Sequence, residues 1–227
     1  PLLLSLLIGA LAWIIEPAIG LVSIAGVSGG VWVISASLFT FGKQLHRIKT
    51  SSLRVSTLAM TIAHTGFGIF LIGISLTSAI SSEKHLRMAA GDHFEMAGYS
   101  FEFVGTSTVK GPNYMADEGE FIVSKQGVEI TRLYPQKRRY AQGGNTMTEA
   151  AIDPGLIRDL YVSLGEPLDE NGNAWAVRIY HKPFIRWIWL GALFMCAGGL
   201  IAAGDKRYRR RSPASNTLRA DTGEVVT

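Results

Sequence analysis

The side chain with the strongest chemical signature is His64, in the run Thr61-Ile-Ala-His64-Thr65-Gly66-Phe67-Gly68. It stands roughly ten residues, or ~15 Å of helix, beyond Arg54 inside a long apolar block, deep in hydrocarbon where that block crosses a bilayer. An ionisable ring at such depth is costly unless it has a partner, which makes it a functional-site candidate. Helical spacing puts Thr57, Thr61, His64 and Gly68 on one face, a narrow polar stripe that ends in glycine. Two chemistries fit. A neutral imidazole is the usual axial ligand of haem iron, and a glycine one turn away leaves room for a flat macrocycle. Alternatively, His64 hydrogen-bonds to a neighbouring helix while Gly66 and Gly68 permit close packing. Spacing alone leaves both readings open, because one histidine does not define a haem site.

Other polar residues carry weaker signals. His46 falls among basic residues between two apolar blocks and reads as a solvated loop residue. His85 and His93 are eight apart, a spacing that neither a helix nor a strand turns into a metal pair. His181 precedes Lys182-Pro183 beside Tyr180 and Trp187 and reads as an interfacial anchor, with Trp187 and Trp189 as aromatic-belt residues. Lys137, Arg138 and Arg139 form a dense basic run that could meet carboxylates of a ligand or partner, although a solvated loop is the simpler expectation. The single cysteine, Cys196, sits in an apolar block, which excludes an intrachain disulfide and thiol exchange. No phosphate loop, zinc spacing or nucleophile elbow is present, and no catalytic residue is assigned.

The elements that must position His64 follow from hydropathy. A bilayer core of about 30 Å needs roughly 20 apolar residues as helix. Four stretches of the 227 residues qualify, the first only in part: Leu2 to Ile15, ending at Glu16-Pro17; Ala18 to Phe41, punctuated by Gly26, Gly29 and Gly30; Val55 to Ile80; and Phe184 to Ala203. Gly26 and Gly30 match the small-xxx-small packing pattern. The chain opens on Pro1 and reads as the tail of a truncated helix. Lys43, Arg47, Lys49 and Arg54 fill one link without an acid, and Lys206, Arg207, Arg209, Arg210 and Arg211 follow the last block. Both basic clusters should be cytoplasmic by the positive-inside rule, which places the polar segment between them outside. The expected organisation is spans over 1–80 with a basic cytoplasmic loop at 42–54, a β-rich periplasmic domain over 81–183, a span at 184–204, and a basic then disordered cytoplasmic tail over 205–227. Net charge of +4 is therefore membrane-flanking charge, not a nucleic-acid surface.

In the polar segment the hydrophobic period drops to two. Tyr99, Phe101 and Phe103 alternate with Ser100, Glu102 and Val104, the pattern of a half-buried strand. Phe121 to Ser124 and Val128 to Tyr134 flank Lys125-Gln126-Gly127 and predict a hairpin. Further strands are expected at Asp159 to Leu164 and Trp175 to Tyr180, giving a compact antiparallel sheet or small barrel. The predicted fold class is an α-helical membrane protein with a β-rich periplasmic domain.

Four blocks in order resemble the C-terminal part of the CcmF family of cytochrome c-type biogenesis haem lyases. They are Ala63-His64-Thr65-Gly66-Phe67-Gly68, Met147 to Gly155, Arg158 to Glu166 and Tyr180 to Gly191. A paralogous group serving multihaem nitrite reductase is similar. The resemblance implies attachment of haem to apocytochrome c at the outer face of the bacterial inner membrane. It further implies a haem b held by two in-membrane histidines, one of them in the motif that His64 occupies. The implied partners are a haem chaperone, apocytochrome c with its thiol-handling partner, and quinol as electron source. The family's other in-membrane histidine and its tryptophan-rich outer loop ending in Trp-Asp are not in this sequence; Trp187-Ile-Trp189 lacks the Asp. This stretch by itself is therefore expected to be inactive. A scaffold that organises assembly proteins without catalysis is the main alternative. A transporter is disfavoured, since the three longer blocks hold no acidic residue at depth.

Overall fold

The computed structural model describes residues 1–15, 19–47, 55–140, 146–169 and 172–205. The basic residues expected at 48–54 and 206–211, and the tail beyond them, lie outside the described residues.

Four apolar stretches form helices: α1 (Leu2–Ile15), α2 (Leu21–Arg47), α3 (Val55–Ile80) and α4 (Ile185–Gly204). The last three are long and apolar enough to cross a membrane, and α1 is a shorter apolar helix. No Gly or Pro interrupts the chain between Lys43 and Arg47, so α2 continues through that stretch. His46 is thus exposed on its last turn, where a loop was expected.

The helices meet through glycines. A Cβ on Gly30 of α2 would lie 2.7 Å from the carbonyl oxygen of Gly68 on α3, and the converse holds for Gly68 against Gly30. Gly66 and Gly191 relate α3 to α4 in the same way, at 2.7 and 2.6 Å from each other's carbonyl oxygens, with Gly198 against Ala59 one end along. Backbones this close gain dispersion that any side chain would forbid, the main attraction available where lipid is as apolar as leucine. The three longer helices therefore lie α2–α3–α4, with α3 in the middle.

Between α3 and α4 the described residues form ten strands: β1 (Ser82–Ala89), β2 (His93–Met96), β3 (Tyr99–Lys110), β4 (Tyr114–Lys125), β5 (Val128–Leu133), β6 (Gln136–Tyr140), β7 (Met147–Glu149), β8 (Ala151–Asp153), β9 (Arg158–Pro167) and β10 (Ala174–Pro183). They make two antiparallel sheets. One has the order β1-β10-β9-β8, and the other β2-β3-β4-β6-β7 with β5 also on β4. The inward residues of both form one core, in which Phe101, Phe103, Phe121 and Val123 of one sheet meet Leu160, Val162, Leu164, Val177 and Ile179 of the other. The expected single sheet or small barrel is thus a sandwich. Two apolar inner faces require a facing partner, and here each sheet supplies it to the other.

The predicted hairpin is present as β4–β5, its turn made by Gln126 and Gly127 with positive φ. The basic run 137–139 is not a loop: it is strand β6, paired with β4 and β7. Strand-forming pattern there is hidden because Lys137 and Arg139 point to opposite sides from Arg138 and all three are charged.

The sandwich is fastened to the helices at both crossings. Thr77 Oγ1 of α3 donates to the Pro183 carbonyl at 2.8 Å, and Ser82 at the start of β1 pairs with His181 near the end of β10. Phe184 turns the chain from β10 into α4 with a left-handed φ of 57°, its N–H donating to the Ile157 carbonyl at 2.8 Å.

Candidate functional site

Two faces of α3 are taken. Ala59, Ala63, Gly66 and Gly73 abut α4, while Gly68 and Ser75 abut α2. A third face is open. Met60, His64, Phe67 and Ile74 are exposed along it, with Leu71 half-buried, at spacings of four, three, four and three residues. Among the described residues the imidazole is therefore the one ionisable group on an otherwise apolar, uncovered helix face.

The ring's state follows from one contact. His64 Nδ1 lies 2.8 Å from the backbone carbonyl oxygen of Met60. A carbonyl only accepts, so Nδ1 carries the proton and donates it, leaving the Nε2 lone pair free. Metal-ligating histidines are oriented and fixed in tautomer by this kind of bond. Met60 and Phe67, one helical turn to either side of His64, are exposed apolar side chains on the same face. The residues present thus fit one axial position of a haem.

The polar stripe predicted from helical spacing separates in the fold. Thr57 and Thr61 are buried, with Thr61 Oγ1 donating to the Thr57 carbonyl at 2.9 Å, whereas His64 is exposed. Gly66 and Gly68 do not clear space for a ligand, because that space is filled by α4 and α2. The close-packing reading holds for these glycines. Sequence inspection missed the open apolar stripe, although its signal, apolar residues at 60, 67, 71 and 74, is legible once the glycine faces are removed. A separate cleft of about 430 Å³ opens between the ends of the three long helices, lined by Gln44, Thr57, Met60, Ala63 and Gly198 among others.

Outside the helices the predicted polar candidates do not converge. Lys137 is buried and reaches Glu166 on the opposite sheet at 2.6 Å and Thr148 at 3.3 Å. Arg138 reaches Glu149 at 3.3 Å and covers the Tyr114 ring, and Arg139 reaches Asp117 at 2.8 Å. This cationic run is neutralised by its own domain. His85 pairs with Glu83 at 2.7 Å, a contact that lowers the Glu83 carboxyl below its usual range. His93 is exposed on β2, opposite Glu102. His181 is half-buried, with Nδ1 unpartnered and its ring 6.0 Å from that of Tyr99. Burial holds its pKa below the ordinary histidine value, and the charges of Arg158 and Lys125 act in the same direction.

Comparison with known proteins fits this architecture. A family model described as the CcmF C-terminal beta-sandwich matches residues 79–183, the stretch that forms the sandwich and its entry strands. This chain belongs to the CcmF family, in its C-terminal part. The cytochrome c-type biogenesis protein CcmF of Pseudomonas aeruginosa is 49% identical over 182 residues, covering 78% of this chain and 27% of the relative. CcmF of Escherichia coli K12 is 39% identical over 216 residues, covering 95% of this chain and 32% of the relative. The solved structure titled Cytochrome c Heme Lyase CcmF superposes with a TM-score of 0.73 at 15% identity, over 90% of this chain and 34% of that one. The chain spans about a third of the length of these CcmF proteins. As in its relatives, this is a membrane protein, with apolar helices carrying a β-sandwich.

Proposed function

We propose that this chain is the C-terminal part of a cytochrome c haem lyase, with His64 as one axial ligand of a haem b within the membrane. The carrying observation is the Nδ1–H bond to the Met60 carbonyl, which turns a free Nε2 onto an open apolar face of α3 in a member of the CcmF family. A haem b held by His64 would supply one-electron transfer, and so a route for electrons from quinol to the substrate haem before thioether formation. The protein's own share is to fix the imidazole in one rotamer through its Nδ1–H bond, and to exclude water along Met60, Phe67 and Leu71.

The basic residues Lys43 to Arg54 and those after α4 put those helix ends in the cytoplasm of the bacterial inner membrane, with the sandwich in the periplasm. In that position the sandwich meets the haem chaperone and apocytochrome c with its thiol-handling partner. The Lys137–Arg139 run is a poor candidate for that contact, because three intramolecular ion pairs would have to break first.

The test is the visible spectrum of the purified full-length complex carrying His64→Ala. Loss of the haem b bands is expected, and unchanged haem content would refute the assignment. A non-catalytic scaffold for cytochrome c assembly proteins predicts an intact wild-type complex without bis-histidine bands, so the same spectrum separates the two.

A further inference from the structure

Where α4 leaves the sandwich, an amphipathic groove of about 430 Å³ runs from polar to apolar along the helix, independent of the His64 face. Its upper end is formed by Asp159, Tyr161 and Arg186, and its lower wall by Trp189, Leu190 and Leu193 with Leu156 beside it. Leu193 is eight residues beyond the start of α4, so the groove reaches ~12 Å down a helix that crosses the membrane. Trp189 and Leu193 are 71% and 67% exposed, and α4 shows no other element over them among the described residues. A groove that starts where α4 leaves the sandwich and descends an exposed apolar side of that helix suits a molecule with a polar head and a long apolar tail.

The loop between β8 and β9 sets its rim. Leu156 and Ile157 are 77% and 65% exposed, yet both backbones are tied to the head of α4: Trp187 Nε1 donates to the Leu156 carbonyl at 3.0 Å, and Phe184 N–H to that of Ile157. Two large aliphatic side chains are thereby held outward at the level of the first helical turn. Charge decides the head group. Asp159 is turned inward, its carboxylate only 7% exposed, receiving Gly155 N–H at 2.9 Å and lying 3.4 Å from Arg186. Arg186 remains 47% exposed, and Lys182 lies over the rings of Tyr161 and Tyr180 at 5.8 and 5.2 Å. Arg186 thus pairs with the inward Asp159 through Nε while its side chain stays half exposed at the groove, and Lys182, one strand position from the rim, shares the field of Glu83. Guanidinium matches phosphate in bidentate geometry.

We infer that this groove binds an anionic phospholipid of the leaflet on the sandwich side, its phosphate at Arg186 and Lys182 and one acyl chain along Trp189, Leu190 and Leu193. The lipid fixes the height and tilt of the sandwich over the bilayer together with Leu156 and Ile157.

The test uses the full-length protein in nanodiscs containing, in parallel, phosphatidylglycerol or phosphatidylcholine that bears a photoactivatable acyl chain, with crosslinked peptides mapped by mass spectrometry. Phosphatidylglycerol should label the Trp189–Leu193 peptide in excess over phosphatidylcholine. Arg186→Gln should reduce that excess about fivefold, the ratio equivalent to the roughly 1 kcal/mol by which one basic residue attracts an anionic surface, and Arg186→Lys should retain most of it. The start of α2, where Leu21 and Val22 are exposed on the same side of the membrane, serves as the internal control. Its labelling should be equal for both lipids and unchanged by Arg186→Gln, which separates loss of the site from loss of the fold. Equal labelling of α4 by the two head groups would reduce the groove to ordinary annular lipid. Absence of any α4 label would show that polypeptide covers it. Either result overturns the inference.

Discussion

Single residues in this protein divide by whether their polar atoms find partners inside the chain. His64 satisfies one ring nitrogen with a carbonyl of its own helix and keeps the other free, which is the state a ligand needs. His64→Gln makes a sharper control than alanine, since an amide can still reach the Met60 carbonyl. It should leave the helical content of the full-length protein unchanged by circular dichroism while removing the haem b bands. His181 has the opposite character, half-buried beside Tyr99 with an unpartnered Nδ1. Its folded pKa is depressed, chiefly by burial and further by Arg158 and Lys125, below the ordinary 6.5. The unfolded chain therefore takes up that proton more readily than the folded one. Stability from this group is complete above 6.5 and is lost as pH falls through the lower folded value. The denaturant midpoint of the sandwich should fall as pH is lowered from about 7 to 5, and His181→Phe should flatten that slope. Lys137 shows how a charged residue can be structural. It joins the two sheets through Glu166, whose carboxylate is largely exposed, so the pair is only partly shielded. Lys137→Ala should cost about 1–2 kcal/mol and lower the melting temperature, whereas Arg139→Ala, on an exposed pair, should cost less than about 1 kcal/mol.

At the scale of elements, glycine geometry sets the order of the helices. Gly30 against Gly68 and Gly66 against Gly191 each bring backbone to backbone, and a side chain at any of these would force the helices apart. Gly191→Leu should weaken the α3–α4 contact by about 1–3 kcal/mol, an overpacking cost. Thermal melting of the helical signal in detergent should then fall, while near-ultraviolet signals from the sandwich aromatics persist. The same packing explains why helical spacing misplaced the stripe around His64. A helical wheel assigns Thr57, Thr61, His64 and Gly68 to one arc, but which part of that arc is covered depends on where α2 and α4 lie. Strand β6 was hidden for a related reason. Its residues 137 to 139 are all ion-paired cations, only Lys137 of them buried, and no hydrophobic period marks it.

At the scale of the whole molecule, a β-sandwich hangs between two membrane helices and is tied to them at Thr77, Phe184 and Trp187. Its stability is centred on the Phe101, Phe103 and Phe121 cluster, in which Phe103 and Phe121 stack with centroids 4.8 Å apart. Phe101→Ala should cost about 3–5 kcal/mol and unfold the sandwich at physiological temperature, a loss readable by limited proteolysis of the outer domain. The helical blocks, the period-two strands β3, β9 and β10 and the β4–β5 hairpin were all legible in the residue order. Each is a local property: hydropathy over one helix length, alternation over one strand, turn residues with positive φ. The pairing of two sheets into a sandwich, the cancellation of the basic run by Glu166, Glu149 and Asp117, and the outward turn of His64 between two glycine-packed faces were decided by tertiary structure. Each of these depends on which distant segment arrives opposite a residue, and no period within a single element encodes that.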